Sequence, residues 1–289
     1  MVKIDSKTRF IGLLGYPLGH SFSPIMQNAA FKSKNINIVY IALEVKPQDL
    51  ETVVKAIPKM NFAGFNVTIP YKIEIMKYLD ETDDLAKFIG AVNTVAIKDG
   101  KMKGYNTDGI GFLRSLEEHL NIKPDGKNIF ILGSGGASRA ISMTLAMNRA
   151  RKIYICNRTF EKAEALVADI NKRCGQISQV VPMNNERMAE AISEADILIN
   201  TTSVGTHPDV DDIPIDKDLL HSNLAVCDVV YNPRKTKLLL VAEKLGCKIM
   251  SGLGMLIFQG AEAFEIWTGV EAPANTMFEA AEAFYNHSV

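Results

Sequence analysis

Residues 129–146 of this 289-residue chain, IFILGSGGASRAISMTLA, give the strongest indication of its fold. It starts with four apolar residues, a pattern typical of a strand that is covered on both faces. Gly133, Gly135 and Gly136 follow, and a helical pattern comes after them. Glycines permit a tight turn and let backbone N–H groups approach a pyrophosphate, whose charge a helix N-terminus favours. The third position of the dinucleotide fingerprint G-x-G-x-x-G is Ser138, so the pattern alone leaves open a strand-to-helix turn without a ligand.

Strand and helix patterns alternate on the C-terminal side of this glycine-rich loop (residues 133–138). Apolar strand-like runs recur at residues 152–156, 197–200 and 225–230, with helical patterns at 139–147, 161–173 and 235–245. Such an alternation is typical of a parallel sheet with helices on both faces. The sequence therefore predicts a doubly wound, Rossmann-type α/β domain around the loop.

A separate α/β region precedes that domain. Its predicted elements are strands at 9–15, 38–45 and 62–68, helices that begin at Ser23-Pro24 and span 47–57 and 71–79, and a hairpin of strands 91–97 and 102–105. Ser23 is predicted to cap its helix, because a hydroxyl there can accept a backbone N–H. The final 39 residues, from Ser251, have a helical pattern.

The strand at residues 152–156 ends in Asn157-Arg158-Thr159, about 20 residues beyond the loop, where an NAD site usually carries an acid for the ribose 2′-OH. Here an arginine stands instead, which favours the 2′-phosphate of NADP. Arg139 and Lys162 are candidate additional cations. The alternative interpretation is an asparagine turn followed by a solvated arginine.

Composition and charge exclude several classes of protein. The chain has 32 basic and 33 acidic side chains, a formal net charge of −1, and no basic block suited to a nucleic-acid backbone or an anionic membrane. Its longest apolar runs fall far short of the roughly 18 residues that a membrane span needs. The four cysteines form no C-x-x-C pair and have no histidine doublet at metal-ligand spacing. We expect a cytoplasmic protein that binds no nucleic acid, no membrane and no metal.

Several segments of the chain carry polar residues where an ordinary hydrophobic core would have apolar ones. They read GYPLGHSFSP (15–24), NVTIPYK (66–72), GAVNT (90–94), GYNTDG (104–109) and GMLIFQGA (254–261). Together with GSGGASRA (133–140), NRT (157–159), NTTSVG (200–205) and DVVYNP (228–233), they resemble the shikimate dehydrogenases, including the quinate/shikimate branch. The resemblance runs in order from Gly15 to about Gly269, nearly the whole chain.

This resemblance implies a division into domains. Residues 1–107 would form an N-terminal α/β substrate-binding domain, and residues 108–255 a Rossmann-type NADP-binding domain. Residues 256–289 would be C-terminal helices that return to complete the substrate domain. The resemblance also implies that substrate and cofactor meet between the two domains.

The resemblance further implies roles for individual residues. Ser21 and Ser23 would hydrogen-bond the substrate carboxylate, Lys72 and Asp108 would be the catalytic pair, and Tyr231 would line the site. The ring hydroxyls would be held by Thr68, Asn93, Asp108 and Gln259. The cofactor would be bound by Gly133, Gly135, Gly136, Ala137, Asn157, Arg158, Thr159 and Gly252. His20 is expected to be a loop residue without a catalytic role.

The chemistry of these side chains agrees with the implied roles. Two serines beside a helix N-terminus suit a carboxylate, and an ammonium such as Lys72 can stabilise the charge that develops on a carbonyl oxygen and deliver a proton. Each residue also has a structural alternative. Lys72 would ordinarily be a solvated lysine on a helix, Asp108 could place favourable charge at a helix start, and Gln259 could lie on a surface.

These expectations combine into a functional hypothesis: an NADP-dependent dehydrogenase that interconverts 3-dehydroshikimate and shikimate in aromatic amino acid biosynthesis, with quinate as a candidate second substrate. One alternative is an NAD-using quinate/shikimate dehydrogenase. An alternative of another class is a catalytically idle, dinucleotide-responsive binding protein, against which the intact Lys72 and Asp108 argue. The oligomeric state stays open, with a homodimer as one alternative.

Overall fold

The computed structural model describes residues 4–18 and 21–287, with the side chains of residues 286 and 287 left out. His20 therefore lies outside the described residues. The chain divides into two compact units, one of Met1–Thr107 with Ile257–Val289 and the other of Asp108–Leu256. No helix among the described residues combines the length and the apolar character needed to cross a membrane.

The first unit contains a mixed six-stranded sheet. Its elements up to the unit boundary are β1 (Arg9–Gly15), α1 (Ser23–Ser33), β2 (Ile38–Glu44), α2 (Leu50–Ala56), β3 (Phe62–Val67), β4 (Glu81–Thr82), α3 (Asp84–Ile89), β5 (Thr94–Lys98) and β6 (Lys101–Tyr105). The strand order is β2-β1-β3-β5-β6-β4. β1 runs parallel to β2 and β3, whereas β5 runs antiparallel to β3 and β6. Every residue of β3 is buried, so this central strand forms the middle of the core.

The second unit is the doubly wound sheet that the sequence predicts. Its elements are α4 (Asp108–Leu120), β7 (Asn128–Leu132), α5 (Gly136–Met147), β8 (Lys152–Cys156), α6 (Phe160–Cys174), β9 (Ser178–Val180), α7 (Asn185–Ser193), β10 (Ile197–Asn200), β11 (Ala225–Asp228), α8 (Lys237–Lys244) and β12 (Lys248–Met250). All neighbouring strands are parallel, in the order β12-β11-β10-β7-β8-β9. The order reverses between β7 and β10, and ligands of such folds bind at that switch point, outside the carboxyl ends of the strands.

The last two helices, α9 (Gly252–Thr268) and α10 (Ala274–His287), provide aromatic packing for the first unit. Phe264 of α9 stacks on Phe31 of α1 with ring centroids 5.1 Å apart. The Trp267 indole N–H donates to the backbone oxygen of Val95 at 2.9 Å. The predicted return of the C-terminal helices to the N-terminal domain is therefore confirmed.

The predicted helix at residues 71–79 is wrong for its first turn. Residues 72 and 73 form a turn, and only a 3₁₀ helix, Glu74–Tyr78, follows. The cause is tertiary: the backbone oxygen of Lys72 accepts the N–H of Val92 at 2.7 Å, a partner from outside the segment. Buried Tyr71 anchors this turn, because its hydroxyl donates to the backbone oxygen of Val45 at 2.5 Å.

The predicted capping role of Ser23 is also wrong. The N-cap of α1 is Phe22, and its side chain makes no capping hydrogen bond. Ser23 is already the first helical residue, so its hydroxyl stands one position too late to cap. Instead, the Ser21 Oγ accepts the Ser23 backbone N–H at 3.3 Å.

Candidate functional site

The glycine-rich loop has the backbone geometry that a dinucleotide site requires. Gly133 has a φ of 106°, a value that other residues rarely adopt. A side chain here would also place its Cβ 2.5 Å from Thr201 Oγ1. The Gly133 N–H donates to the backbone oxygen of Cys156 at 2.8 Å. Only glycine therefore fits at this position, between the ends of β8 and β10.

Ser138, at the third fingerprint position, stabilises the loop in place of a glycine. It is fully buried, and its Oγ donates to the Gly133 backbone oxygen at 2.7 Å. At Gly135, by contrast, no atom of the described residues apart from its chain neighbours lies within 4 Å of the position that a Cβ would take. Open space at Gly135, directly before the twelve-residue helix α5, is the arrangement in which a phosphate can approach the backbone.

Arg158 lies just beyond the carboxyl end of β8 and is exposed. Among the described residues, no hydrogen bond or ion pair engages its side chain. The preceding Asn157 fixes the turn, because its Nδ2 donates to the Thr159 backbone oxygen at 2.8 Å. Arg158 therefore presents a guanidinium that is available for an anionic ligand. Glu161 and Lys162 are also exposed.

Arg139, the candidate second cation, is engaged within the second unit. Its guanidinium contacts Asp169 at 2.5 Å, and only 15% of its side chain is exposed. This ion pair neutralises much of its charge. Of the two arginines, Arg158 is therefore the one whose charge is not paired by another described residue.

In the first unit, Asn93 is the centre of a buried polar network. Its Oδ1 accepts from the Thr107 N–H at 2.8 Å, and its Nδ2 donates to Thr107 Oγ1 at 2.9 Å. The same Nδ2 donates to Gln259 Oε1 at 3.3 Å. Asn93 and Gln259 are thus brought together from positions 166 residues apart. The half-buried Gln259 is not a plain surface residue.

Asn66 supports this network from the adjacent strand. It is buried, its Nδ2 donates to the Asn93 backbone oxygen at 3.0 Å, and its Oδ1 accepts from the Tyr40 hydroxyl at 2.7 Å. Neither Asn66 nor Tyr40 was among the predicted site residues. The signal that could have found Asn66 is its place as a polar residue in a fully buried strand.

Lys72 and Thr68 are carried by the segment that leaves β3. The Val67 N–H donates to the Asn93 backbone oxygen at 2.8 Å, and the Val92 N–H donates to the Lys72 backbone oxygen at 2.7 Å. These two bonds place Thr68 and Lys72 next to the segment that contains Asn93. Both side chains are half-buried, so they border the buried network.

The remaining residues predicted for the substrate site lie near the ends of helices and strands. Ser21 precedes α1, where it is half-buried, and Ser23 is buried in the first turn. Asp108 begins α4, directly after Thr107, and belongs to the second unit, whereas Lys72 belongs to the first. Tyr231 follows β11 and is half-buried.

Gly252 allows close packing after β12. Its N–H donates to the Val230 backbone oxygen at 3.1 Å. A Cβ at this position would lie 2.1 Å from the Val229 backbone oxygen, a distance that no side chain tolerates. The chain can pass this close to the segment after β11 only because residue 252 is a glycine.

Asp228, a buried carboxylate at the end of β11, was not among the predicted site residues. Its Oδ1 accepts from the Val230 N–H at 2.9 Å and from Asn200 Nδ2 at 3.0 Å, and its Oδ2 accepts from Thr236 Oγ1 at 2.7 Å. Burial raises the pKa of this carboxyl to about 6, although the three hydrogen bonds oppose the rise. Its signal was a charged residue in a buried strand.

Three family models match the chain. Residues 13–95 match the shikimate dehydrogenase substrate binding domain, residues 116–213 match shikimate / quinate 5-dehydrogenase, and residues 252–282 match the shikimate 5′-dehydrogenase C-terminal domain. The matches cover more than half of the chain and both of its units.

Similar proteins are related over nearly the whole length. A shikimate dehydrogenase (NADP(+)) from Methanocaldococcus jannaschii is 50% identical over 95% of this chain and 96% of its own. A crystal structure of a shikimate dehydrogenase in complex with NADP⁺ has a TM-score of 0.89 and 47% identity, covering 96% of both chains. Quinate dehydrogenase from Corynebacterium glutamicum, in complex with NAD, has a TM-score of 0.88 and 33% identity, covering 96% of this chain and 99% of its own. This chain belongs to the shikimate dehydrogenase family.

Proposed function

We propose that the chain is an NADP-dependent oxidoreductase that acts on a CH–OH group and interconverts shikimate and 3-dehydroshikimate, a reaction of aromatic amino acid biosynthesis. The observation that carries the proposal is the exposed, unengaged Arg158 at the carboxyl end of β8, next to a glycine-rich loop of dinucleotide geometry. A quinate-type enzyme that uses NAD would need an acid near this position.

The residues of the second unit fit NADP. The backbone of Gly133, Gly135, Gly136 and Ala137 would receive the pyrophosphate at the N-terminus of α5. Asn157, Arg158 and Thr159 would hold the 2′-phosphate, for which a guanidinium can supply two parallel hydrogen bonds. Gly252, which has no side chain, would leave room for the nicotinamide end of the cofactor. When bound, the nicotinamide ring supplies the hydride for reduction or accepts it in oxidation.

The residues of the first unit fit a small polyhydroxy carboxylate. The hydroxyl groups of Ser21 and Ser23 would donate hydrogen bonds to the substrate carboxylate. Thr68, Asn93, Asp108 and Gln259 would hold the ring hydroxyls, and Tyr231 would line the site. The amides of Asn93 and Gln259 are held by the buried network, so they are pre-oriented for a ligand and lose little freedom on binding.

Lys72 would be the group that exchanges a proton with the reacting oxygen of the substrate. In the direction of reduction, its ammonium stabilises the negative charge that develops on the carbonyl oxygen and transfers a proton to that oxygen. In oxidation, its neutral amine accepts the hydroxyl proton. Asp108 would orient the ammonium and accept a hydrogen bond from a substrate hydroxyl. The buried Tyr71 and the bond to Val92 fix the backbone of Lys72.

Two further expectations belong to this proposal. None of the four cysteines is in a disulfide, which supports a reducing, cytoplasmic location. A homodimer is a testable alternative to a monomer, and light scattering of the purified protein distinguishes them.

The decisive experiment assays the purified protein with shikimate and with quinate, each with NADP⁺ and with NAD⁺. We expect the highest kcat/KM for shikimate with NADP⁺. A higher kcat/KM for quinate with NAD⁺ would replace the proposal with the quinate-type enzyme. Absence of turnover in all four pairings, with NADP⁺ binding retained, would establish the idle binding protein.

A further inference from the structure

Asp228 is a buried carboxylate that the proposed reaction does not use. Only 1% of the residue is exposed. Burial of a carboxylate is costly even when it is hydrogen-bonded, and well-packed apolar residues in such places often give equal or greater stability. Stability alone therefore gives little reason for an acid at the end of β11.

The hydrogen bonds of Asp228 join three separate segments. They come from Asn200 at the end of β10, from the backbone of Val230 after β11, and from Thr236, which caps α8 by accepting the Leu239 N–H. All three donors converge on one carboxylate. An acceptor with two oxygens thus ties together three segments, in addition to the backbone bond from the Val229 N–H to the Asn200 oxygen at 3.0 Å.

The network continues from Asn200 to the glycine-rich loop. Asn200 Oδ1 accepts from the Thr202 N–H at 3.0 Å and from Thr202 Oγ1 at 2.7 Å. The neighbouring Thr201 donates from its N–H and its Oγ1 to the Leu132 backbone oxygen, at 2.9 and 2.6 Å. Thr201 is also the residue against which Gly133 packs. The position of Asn200 is therefore transmitted to the turn after β7.

The network reaches Gly252 on its other side. Val230, whose N–H is held by Asp228, accepts the Gly252 N–H through its own backbone oxygen. Tyr231 is the next residue along the chain. The segments after β7, β10 and β11 all leave the same edge of the parallel sheet, where doubly wound folds bind dinucleotides.

We infer that Asp228 is a positioning residue of the cofactor site: its carboxylate holds residues 200–202 and 228–231 against each other and thereby sets the positions of the glycine-rich loop, Tyr231 and Gly252. The inference rests on the proposed function only in that the ligand is NADP. The raised pKa of Asp228 supports it, because the fold keeps this group despite the cost of its burial.

The test compares Asp228→Ala and Asp228→Asn with the wild type, by calorimetric titration with NADP⁺ and by thermal unfolding. Asp228→Ala leaves the three donors without their acceptor, and we expect the Kd for NADP⁺ to rise by about tenfold or more at a temperature where the variant is folded. Asp228→Asn has the same shape, and the Thr236 hydroxyl can rotate to accept its amide. We expect this variant to restore the Kd to within about threefold of the wild type.

Asp196→Ala is the matched control. Asp196 accepts the Asn128 N–H at 2.8 Å, but it precedes β10 and so lies at the opposite, amino edge of the same sheet. We expect Asp196→Ala to lower the melting temperature and to leave the Kd for NADP⁺ unchanged. A loss of affinity in this control would show that any destabilisation of the unit weakens binding, which would overturn the inference.

Two further outcomes would overturn it. One is a folded Asp228→Ala with a lower melting temperature but an unchanged Kd. The other is an equal rise of Kd in the Ala and Asn variants, which would mean that charge and not the hydrogen-bond pattern matters. If Asp228→Ala does not fold, Thr236→Val replaces it as the test. We expect Thr236→Val to raise the Kd for NADP⁺ by about threefold and Thr236→Ser to restore the wild-type Kd. An unchanged Kd in Thr236→Val would overturn the inference.

Failure of the proposed function has a different signature. A wild type that binds NADP⁺ but does not oxidise shikimate would refute the proposed reaction, while the comparison of Kd values would still decide the role of Asp228. A wild type that does not bind NADP⁺ would overturn both, and the wild-type titration alone reveals it.

Discussion

Replacement of Arg158 by alanine should abolish most of the preference for NADP over NAD. The exposed guanidinium is not engaged by another described residue, so its removal leaves no partner unpaired in the protein. A hydrogen bond to a charged group contributes about 1.5–3 kcal/mol, which corresponds to about 10- to 150-fold in affinity. Because the site is open to water and ions, screening favours the lower end. We expect the Kd for NADP⁺ to rise by about 10- to 30-fold.

The assay is a calorimetric titration of wild type and Arg158→Ala with NADP⁺ and with NAD⁺. Affinity for NAD⁺, which has a pyrophosphate but lacks the ribose 2′-phosphate, should stay within about twofold. Arg149→Ala is the matched control: this arginine belongs to the same unit, is 79% exposed in its side chain and pairs with Asp125, so its loss should change neither affinity. An equal loss of affinity for NADP⁺ and NAD⁺ in Arg158→Ala would contradict the assignment of Arg158 to the 2′-phosphate. So would a wild type that binds NAD⁺ as tightly as NADP⁺.

Four further predictions concern catalysis, substrate, packing and pH. Lys72→Met should lower kcat by about 10² to 10⁴ in the shikimate assay while the Kd for NADP⁺ is unchanged; near-normal turnover would exclude a proton-transfer role. Ser21→Ala should raise the KM for shikimate more than it changes kcat or the melting temperature, whereas a loss of stability alone would make the serine structural. Gly252→Ala should destabilise the protein by about 1–3 kcal/mol in urea unfolding, because its Cβ meets the Val229 oxygen; an unchanged midpoint would contradict the close packing. The Asp228 pKa rises on folding from 3.8 to about 6, so this group should lower the wild-type free energy of unfolding by up to about 3 kcal/mol as pH rises from about 4 to 6, and the loss should persist above pH 6. Asp228→Asn should lack this part of the pH dependence, and identical pH profiles of the two proteins would contradict the prediction.

The parts of the fold that were predictable depend on neighbours in the chain. Four apolar residues before Gly133 and a helical pattern after Gly136 are local determinants, so the strand, the loop and the helix could be located in advance. The hairpin turn at Asp99-Gly100 is equally local, and both residues have the positive φ that its geometry requires. Regular alternation of such elements leaves few topologies open.

The conformation around Lys72 could not be predicted in this way. A helical pattern at residues 71–79 competes with a hydrogen bond from Val92, 20 residues later, and that bond forms only because β3 and β5 pair in one register. Periodicity reports which residues share a face, but it does not report which backbone groups a neighbouring strand will use. The turn that carries Lys72 was therefore decided by the sheet.

The doubly wound unit, the glycine-rich loop and the arginine after β8 could all be inferred from the amino-acid sequence, because each depends on residues close together in the chain. The partners of the polar side chains, by contrast, depend on how the chain folds. Asn93 meets Gln259 across 166 positions, and Asp228 receives a hydrogen bond from Asn200 across 28. A buried polar group needs a partner wherever the fold supplies one, and the identity of that partner depends on how strands and helices pack.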